Sequence, residues 1–279
     1  MASATVNKII PFSCVDGPGN RTAVFLQGCN FNCKYCHNPE TIHPCINCGV
    51  CVAYCKPQAL RMENGRVRYD ITKCVSCDEC FRHCPHGASA RTREMTAGQV
   101  MEEIKKNMPF IRGITVSGGE CTLWRDFLLE LLTLARAAGL TTLLDSNGSW
   151  DFSRDPQLMA VTDGVMLDVK AWSREDHEAV TGRDNAMVLR NLQWLAENGK
   201  LTEVRTVIVP KLFDCAGTVE QVSRLLARAN SLKTRYKIIR YRPMGVREAY
   251  KSLVPPTGQE LTRLGDLARS FGLTEVVTV

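Results

Sequence analysis

Eleven of the chain's fourteen cysteines fall between Cys29 and Cys84 in three tight runs, and no other feature constrains the fold as strongly. The first run is C-x3-C-x2-C, formed by Cys29, Cys33 and Cys36 directly after an apolar stretch at 22–26 and Gln27-Gly28. Disulfide frameworks usually scatter their cysteines, whereas short-spaced runs are metal-ligand patterns. Three thiolates on one loop can hold three corners of a [4Fe–4S] cube, leaving the fourth iron without a protein ligand, whereas most clusters take four cysteines. Closed zinc sites also use clustered cysteines, so the first run alone leaves both readings open.

The other two runs repeat one spacing. Cys45, Cys48, Cys51 and Cys55 follow C-x2-C-x2-C-x3-C, and Cys74, Cys77, Cys80 and Cys84 follow it again, with Pro85 after the second and Lys56-Pro57 after the first. This is the spacing of bacterial two-cluster ferredoxins, in which the last cysteine of each run ligates the other run's cluster. One cluster is therefore expected on Cys45, Cys48, Cys51 and Cys84, and a second on Cys74, Cys77, Cys80 and Cys55. Zinc is the competing reading. Residues 59–62 and 66–70 flank Glu63-Asn64-Gly65 and read as a hairpin.

Composition excludes several classes. The 279 residues are 44% hydrophobic and 23% charged, ordinary for a globular protein. No apolar run approaches the ~20 residues of a membrane span, and the first residues lack a signal-peptide layout, so a cytoplasmic protein off the membrane is expected. The formal charge of +6 counts every cysteine as neutral. With eleven thiolates on three oxidised clusters of about +2 each, the holoprotein falls to roughly +1, and no nucleic-acid partner is expected.

After residue 93 apolar strands alternate with helices. Thr96 with Gln99 reads as a capping box for a helix to about residue 107, and Thr257 with Glu260 as another. Thr218 with Gln221 is read the same way. Strands are expected at 114–116, 141–144, 165–167, 204–209 and 237–241, with a last one at 274–279; helices are expected at about 123–138 and 187–198. Repeated β-then-α units predict a parallel sheet curled into an open barrel. Polar groups recur where its strands end, as ligand sites do in such folds.

Residues 10–21 read Ile-Pro-Phe-Ser-Cys-Val-Asp-Gly-Pro-Gly-Asn-Arg, and Cys36-His37-Asn38-Pro39 closes the first cysteine run. Together these resemble the S-x-x-D-G-P-G-x-R element and cysteine loop of glycyl-radical enzyme activating enzymes, in the radical S-adenosylmethionine (SAM) superfamily; the YjjW subgroup is the most similar. The resemblance implies a partial (β/α)6 radical SAM barrel with an inserted bacterial-ferredoxin-like 2[4Fe–4S] domain, divided as 1–42, 43–92 and 93–279. It implies three [4Fe–4S] clusters, with SAM chelating the open iron of the first.

The same resemblance assigns roles to residues. Cys29, Cys33, Cys36 and Lys170 form the catalytic set, with Lys170 meeting the SAM carboxylate, and Tyr35, His37 and Asn38 belong to the cofactor loop. Gly118-Gly119-Glu120 would meet the methionyl amine, the carboxylate offsetting the ammonium. Asp145, Ser146, the Met166 carbonyl and Asp168 would surround SAM and a monovalent cation. Arg205 would face the cofactor, and Val207 would pack on the adenine. Asp16, Gly17 and Arg21 would bind the partner's peptide. The chain departs from the pattern in having Cys121 after G-G-E in place of Pro, and Arg242 where a His aligns. Cys14 and Cys215 are left over and read as buried structural cysteines. The implied partners are a glycyl radical enzyme and an electron donor such as flavodoxin or ferredoxin, with the chain itself a monomer. A radical SAM enzyme acting on a small molecule and a simple iron–sulfur electron carrier are the rival readings.

Overall fold

The computed structural model describes residues 2–279. Its strands are β1 (Ser3–Ser13), β2 (Arg21–Leu26), β3 (Leu60–Glu63), β4 (Arg66–Tyr69), β5 (Arg93–Thr96), β6 (Gly113–Gly118), β7 (Thr141–Ser146), β8 (Gly164–Asp168), β9 (Leu201–Ile208), β10 (Arg235–Arg240) and β11 (Val276–Thr278). The helices are α1 (Glu79–Arg82), α2 (Ala97–Lys105), α3 (Arg125–Ala137), α4 (Pro156–Ala160), α5 (Arg174–Thr181), α6 (Ala186–Glu197), α7 (Cys215–Arg228) and α8 (Gly258–Ser270).

Nine of the strands form one sheet in the order β11-β10-β9-β8-β7-β6-β2-β1-β5. From β2 through β11 every neighbouring pair is parallel, which gives the six expected β/α strands with β11 as an extra parallel edge. Parallel strands covered on both faces need near-continuous apolar runs, and Ile114, Val116, Leu144, Val165, Leu167 and Val204 are buried accordingly. The antiparallel strands β1 and β5 went unread in the sequence. β1 mixes buried, half-buried and exposed positions without clean alternation, so period two is weak there.

Capping behaves as its chemistry dictates at two helices and not at a third. Thr96 with Gln99 and Thr257 with Glu260 both close reciprocal capping boxes. The expected Thr218–Gln221 cap is overturned. The helix starts one turn earlier, at Cys215, capped by Asp214, whose side chain accepts from the Gly217 N–H. Thr218 is buried, and its hydroxyl donates back to the Asp214 carbonyl. The aspartate that ends the loop outcompetes a threonine that the helix can absorb.

Residues 43 and 88 lie side by side, joined by a β-bridge, and the Ser89 N–H donates to the Glu40 carbonyl. The chain between them carries both four-cysteine runs and the β3–β4 hairpin. Asn64 and Gly65 take the left-handed conformations of a two-residue turn. Cys51, Leu60, Cys80 and Ala90 form a small core of their own. The repeat seen in spacing recurs in the backbone. Asn47 and Ser76, Gly49 and Asp78, and Gln58 and Gly87 occupy equivalent positions in the two runs, and all six have φ between 54° and 80°. Such left-handed residues turn a loop into a concavity lined by N–H groups, a form common around iron–sulfur sites.

Candidate cluster and cofactor site

The C-x3-C-x2-C loop leaves the carboxyl end of β2 and is fastened on every side. Gly28 and Cys29 donate backbone hydrogen bonds to Thr41 and Ile42, while Asn32 and Lys34 donate to Thr181 and Val180 at the end of α5. The ends of β6 and β2 press together there. A Cβ at Gly118 would lie 2.2 Å from the Leu26 oxygen, and one at Gly119 would lie 2.1 Å from the Gly28 oxygen. These glycines are therefore required by chain-on-chain packing, a reason the sequence reading did not see.

The first sulfur of this loop accepts two hydrogen bonds. Cys29 Sγ receives the Phe31 N–H at 3.4 Å and the Asn147 amide at 3.8 Å. Burial, then the nearby Glu120 charge, pushes the Cys29 thiol up to about 12, and burial pushes Cys36 up to about 11. Burial also raises Cys33, and Lys170 is the largest positive influence against it. As free thiols all three would stay neutral at pH 7; a metal that displaces the protons suits them, because thiolates are what metals bind. Three cysteines on one loop, with N–H bonds arriving at Cys29 Sγ and the Lys170 cation beside Cys33, fit a cluster held at three corners.

Glu120 is held by donors that the sequence did not reveal. Its side chain is fully buried and accepts from the Thr122 N–H (3.1 Å), the Thr122 hydroxyl (2.7 Å), the Ser146 hydroxyl (2.9 Å) and the Asn147 N–H (2.6 Å). Oε1 takes three of these donors and Oε2 one, so the protein itself fixes the carboxylate. It also positions its neighbours, because the Asn147 it holds reaches Cys29 Sγ and, at 2.9 Å, the Asn30 side chain. Asn147 was missed in the sequence; its only signal was its place in the strand-end cluster Asp145-Ser146-Asn147-Gly148.

Deeper in the concave face the charges are paired. Arg205 on β9 bonds the Asp145 carboxylate at 3.0 Å, the Met166 sulfur at 3.2 Å and the Glu203 carboxylate, while Ser117 donates to Asp145 at 2.9 Å. Burial works against the Arg205 charge, but Asp145 and Glu203 outweigh it and hold the guanidinium well above its ordinary range. Lys170 donates to Asp168 at 2.6 Å and stands near the Tyr35 ring. The groups expected around SAM and a cation are thus paired with protein partners. Arg205 takes Asp145, Lys170 takes Asp168 and Glu120 takes Ser146. Among the described residues no three His, Cys, Asp or Glu side chains come together closely enough for a single metal ion.

Val207 packs with Tyr35, Val209 and Tyr241 in an apolar cluster at the same strand ends. His37 Nε2 donates to the Arg242 carbonyl at 2.9 Å, but the Arg242 residue is exposed, so the structure brings its backbone and not its guanidinium to the loop. Asn38 caps the turn at Pro39–Thr41; its carbonyl accepts from Thr41 and its side chain from Lys8 at 3.5 Å. Asn38 is thus a loop anchor. Cys121 is buried, with its thiol 3.4 Å from the Asp145 carbonyl, and Cys215 is half-buried, whereas Cys14 is exposed, against expectation.

The D-G-P-G loop folds under the amino ends of the strands. Asp16 is half-buried, its carbonyl accepting from Thr115 at 2.6 Å and its carboxylate from Ser13. Gly17, at φ +120°, passes so close to Leu143 that a Cβ would meet it at 2.8 Å. Arg21 is no peptide contact: it is 2% exposed and donates to the Thr115 and Thr141 hydroxyls and to the Ile114, Thr141 and Pro18 carbonyls. It ties the loop to β6 and β7.

In the 43–88 segment the cysteines line two separate small hollows. One is lined by Cys55, Cys74, Cys77 and Cys80, the other by Cys45, Cys48, Cys51 and Cys84. The last cysteine of each run has crossed to the other's hollow.

Comparison with known proteins agrees with this geometry. The family model of the radical SAM superfamily matches residues 23–226. A glycyl-radical enzyme activating enzyme of Haemophilus influenzae is 34% identical over 98% of this chain and 96% of its own length. A pyruvate formate-lyase-activating enzyme of Streptococcus mutans is also 34% identical, over 86% of this chain and 78% of its own. Among solved structures, Escherichia coli QueE shares the fold at a TM-score of 0.54 and 13% identity, over 99% of this chain and 94% of its own.

Proposed function

Because this chain belongs to the radical SAM superfamily and, within it, to the glycyl-radical enzyme activating enzymes, we propose that it activates a partner enzyme by taking a Cα hydrogen from one glycine of that partner. The observation that carries this reading is the loop of Cys29, Cys33 and Cys36, with Cys33 buried and Cys29 Sγ accepting two N–H bonds, at the mouth of a charge-paired concave face. Cys29, Cys33 and Cys36 would hold a [4Fe–4S] cluster, which would supply the one electron for reductive cleavage of SAM and so the radical chemistry that removes the glycine hydrogen.

The chain's own residues bind, orient and exclude water. Lys170 spends one N–H on Asp168, which leaves two for the carboxylate of SAM. Val207 and Tyr35 form an apolar wall suited to the adenine. The Arg205–Asp145 pair is positioned to meet the polar parts of the cofactor, and its burial keeps water from the reacting carbon. Asp16, half-exposed at the amino end of the same concave face, is the residue we assign to the partner's glycine segment.

The two cysteine hollows support two further [4Fe–4S] clusters, on Cys45, Cys48, Cys51 and Cys84 and on Cys74, Cys77, Cys80 and Cys55, within a ferredoxin-like insert at 43–92. In this reading they relay electrons from a flavodoxin or ferredoxin, and the enzyme works as a monomer. Among the described residues no helix is long and apolar enough to cross a membrane. The test is anaerobic reconstitution, reduction and addition of SAM, with 5′-deoxyadenosine measured against Cys33→Ala. Product from the intact chain alone is expected; no product from iron-loaded protein would overturn the reading.

A further inference from the structure

Residues 241–253 form a strap that crosses from the end of β10 to the cysteine loop. Tyr241 and Val246 are buried in the same apolar cluster as Tyr35, and the Tyr241 hydroxyl donates to the Tyr250 carbonyl at 2.7 Å, closing the strap on itself. From it Arg247 reaches back to the loop. Its guanidinium donates to the Asn32 side chain at 2.6 Å, the Asn32 carbonyl at 3.2 Å and the Cys33 carbonyl at 2.8 Å. Tyr250 lies against its other side, 5.0 Å from ring centroid to guanidinium. The Nε is buried and has no partner among the described residues, so this side chain accepts a desolvation cost to stay there. Arg247 also lines the cleft between the cysteine loop and Cys84 of the insert.

Nothing in the glycyl-radical chemistry of the site requires a strap, and neither the motifs nor the strand ends point to this residue. We propose that Arg247 is a positioning residue for the cluster on Cys29, Cys33 and Cys36: its planar fork fixes the Asn32-Cys33 backbone, and its fixed charge favours the cluster's reduced, more negative state. The inference rests on the reading of those cysteines as cluster ligands. An arginine suits both tasks. It presents parallel N–H groups to two adjacent carbonyls and a side-chain amide, which an ammonium cannot match, and it does not titrate. A positive charge beside a cluster favours the state with one more electron, because net charge and hydrogen bonding around a cluster set its potential.

The two tasks separate by substitution. Arg247→Lys keeps the charge and loses the fork; Arg247→Gln loses the charge. The reconstituted holoprotein is titrated electrochemically, following the one EPR signal that SAM perturbs. The release of iron from that cluster to a chelator is timed separately, and unfolding of the apo chain is recorded as a folding control. We expect R247K to release iron about tenfold faster with its potential little changed. We expect R247Q to release iron faster as well and to be roughly tenfold harder to reduce, a shift of about 59 mV to more negative potential for one electron. Potentials and release times equal to wild type in both variants would overturn the proposal. So would equal losses in the two variants that track apo-chain unfolding, since that is plain structural damage. A wild-type protein with no SAM-responsive cluster would instead remove the reading of the three cysteines, and the two failures are thereby distinguishable.

Discussion

Replacing Glu120 by Gln decides whether this carboxylate touches the cofactor or holds the site. Oε1 accepts three of the four hydrogen bonds, from Thr122 twice and Ser146 once, and Oε2 accepts the Asn147 N–H at 2.6 Å. A glutamine amide keeps its oxygen where three donors converge, which turns its NH2 towards the Asn147 N–H, donor against donor. The loss is one hydrogen bond to a charged group, ~1.5–3 kcal/mol, plus a buried N–H without a partner, ~1–3 kcal/mol. The neutral side chain recovers part of this, because burial holds the Glu120 carboxyl above its usual range, so ionised Glu120 already carries a desolvation cost. A net loss of ~2–4 kcal/mol follows, against a typical total of ~5–15 kcal/mol. At ~2–4 °C per kcal/mol for a chain of this size, the apo protein should melt ~4–16 °C lower. Because Asn147 also bonds Cys29 Sγ and Asn30, the reconstituted E120Q protein should hold less iron on its first cysteine run. The assays are thermal unfolding of the apo chain, iron content and SAM affinity. An unchanged melting point and iron content with SAM binding weakened tenfold would refute the argument and restore Glu120 as a direct ligand.

Four further outcomes are expected. Arg21→Lys cannot serve the five acceptors of the guanidinium and should lower the melting point by several degrees while leaving the affinity for the partner's glycine peptide, measured on folded protein, within about twofold. Asp16→Ala should abolish glycyl-radical formation on the partner, read by EPR, while 5′-deoxyadenosine still forms without it. Asp155 is held below the usual carboxylate range by hydrogen bonds from Arg125, at 2.8 and 2.9 Å. Its stabilisation is fully present above the unfolded carboxyl's pKa of about 3.9 and disappears as pH falls through the lower folded value, so Asp155→Asn should flatten the acid limb of a stability–pH curve. Serine at Cys48 and Cys77 should slow reduction by flavodoxin at least tenfold and spare turnover with a chemical reductant; loss of both would point to a structural role for the insert.

What the sequence made legible depended on whether a residue type has few reasons to be where it is. Eight cysteines in two identical runs have few, and they line two hollows in the crossed sets that their spacing predicts. The six parallel strands were legible because burial on both faces forces apolar runs. Arg21 was misjudged, and the setting of Glu120 went unread, because a motif shows that a charge is present and not how many neighbours surround it. Arg21 ends under the strands with five acceptors, and Glu120 ends enclosed by four donors. Asn147 and Arg247 were invisible for the opposite reason. Their importance comes from partners far away in sequence, Cys29 across 118 residues and Cys33 across 214.

The pairing of charges along the concave face bears on how such a site tolerates its own chemistry. From the D-G-P-G loop upward, Thr115, the Asp145–Arg205–Glu203 group and the Asp168–Lys170 pair follow one another, and Glu120 and Asn147 lie above them beside Cys29. Each acid has a donor supplied by the protein, so the face can be both dry and charged, a combination that unpaired groups would make prohibitively unstable. A ligand with an ammonium, a carboxylate and a sulfonium enters this face by exchanging partners with groups already ionised and held in place. Little water then has to reorganise, and the strongest fields lie where the new charges arrive. On this argument Asp145→Asn should hurt more than the loss of one contact implies. It frees Arg205 to swing towards Glu203, and the remaining positive charge at Lys170 must then orient the ligand alone.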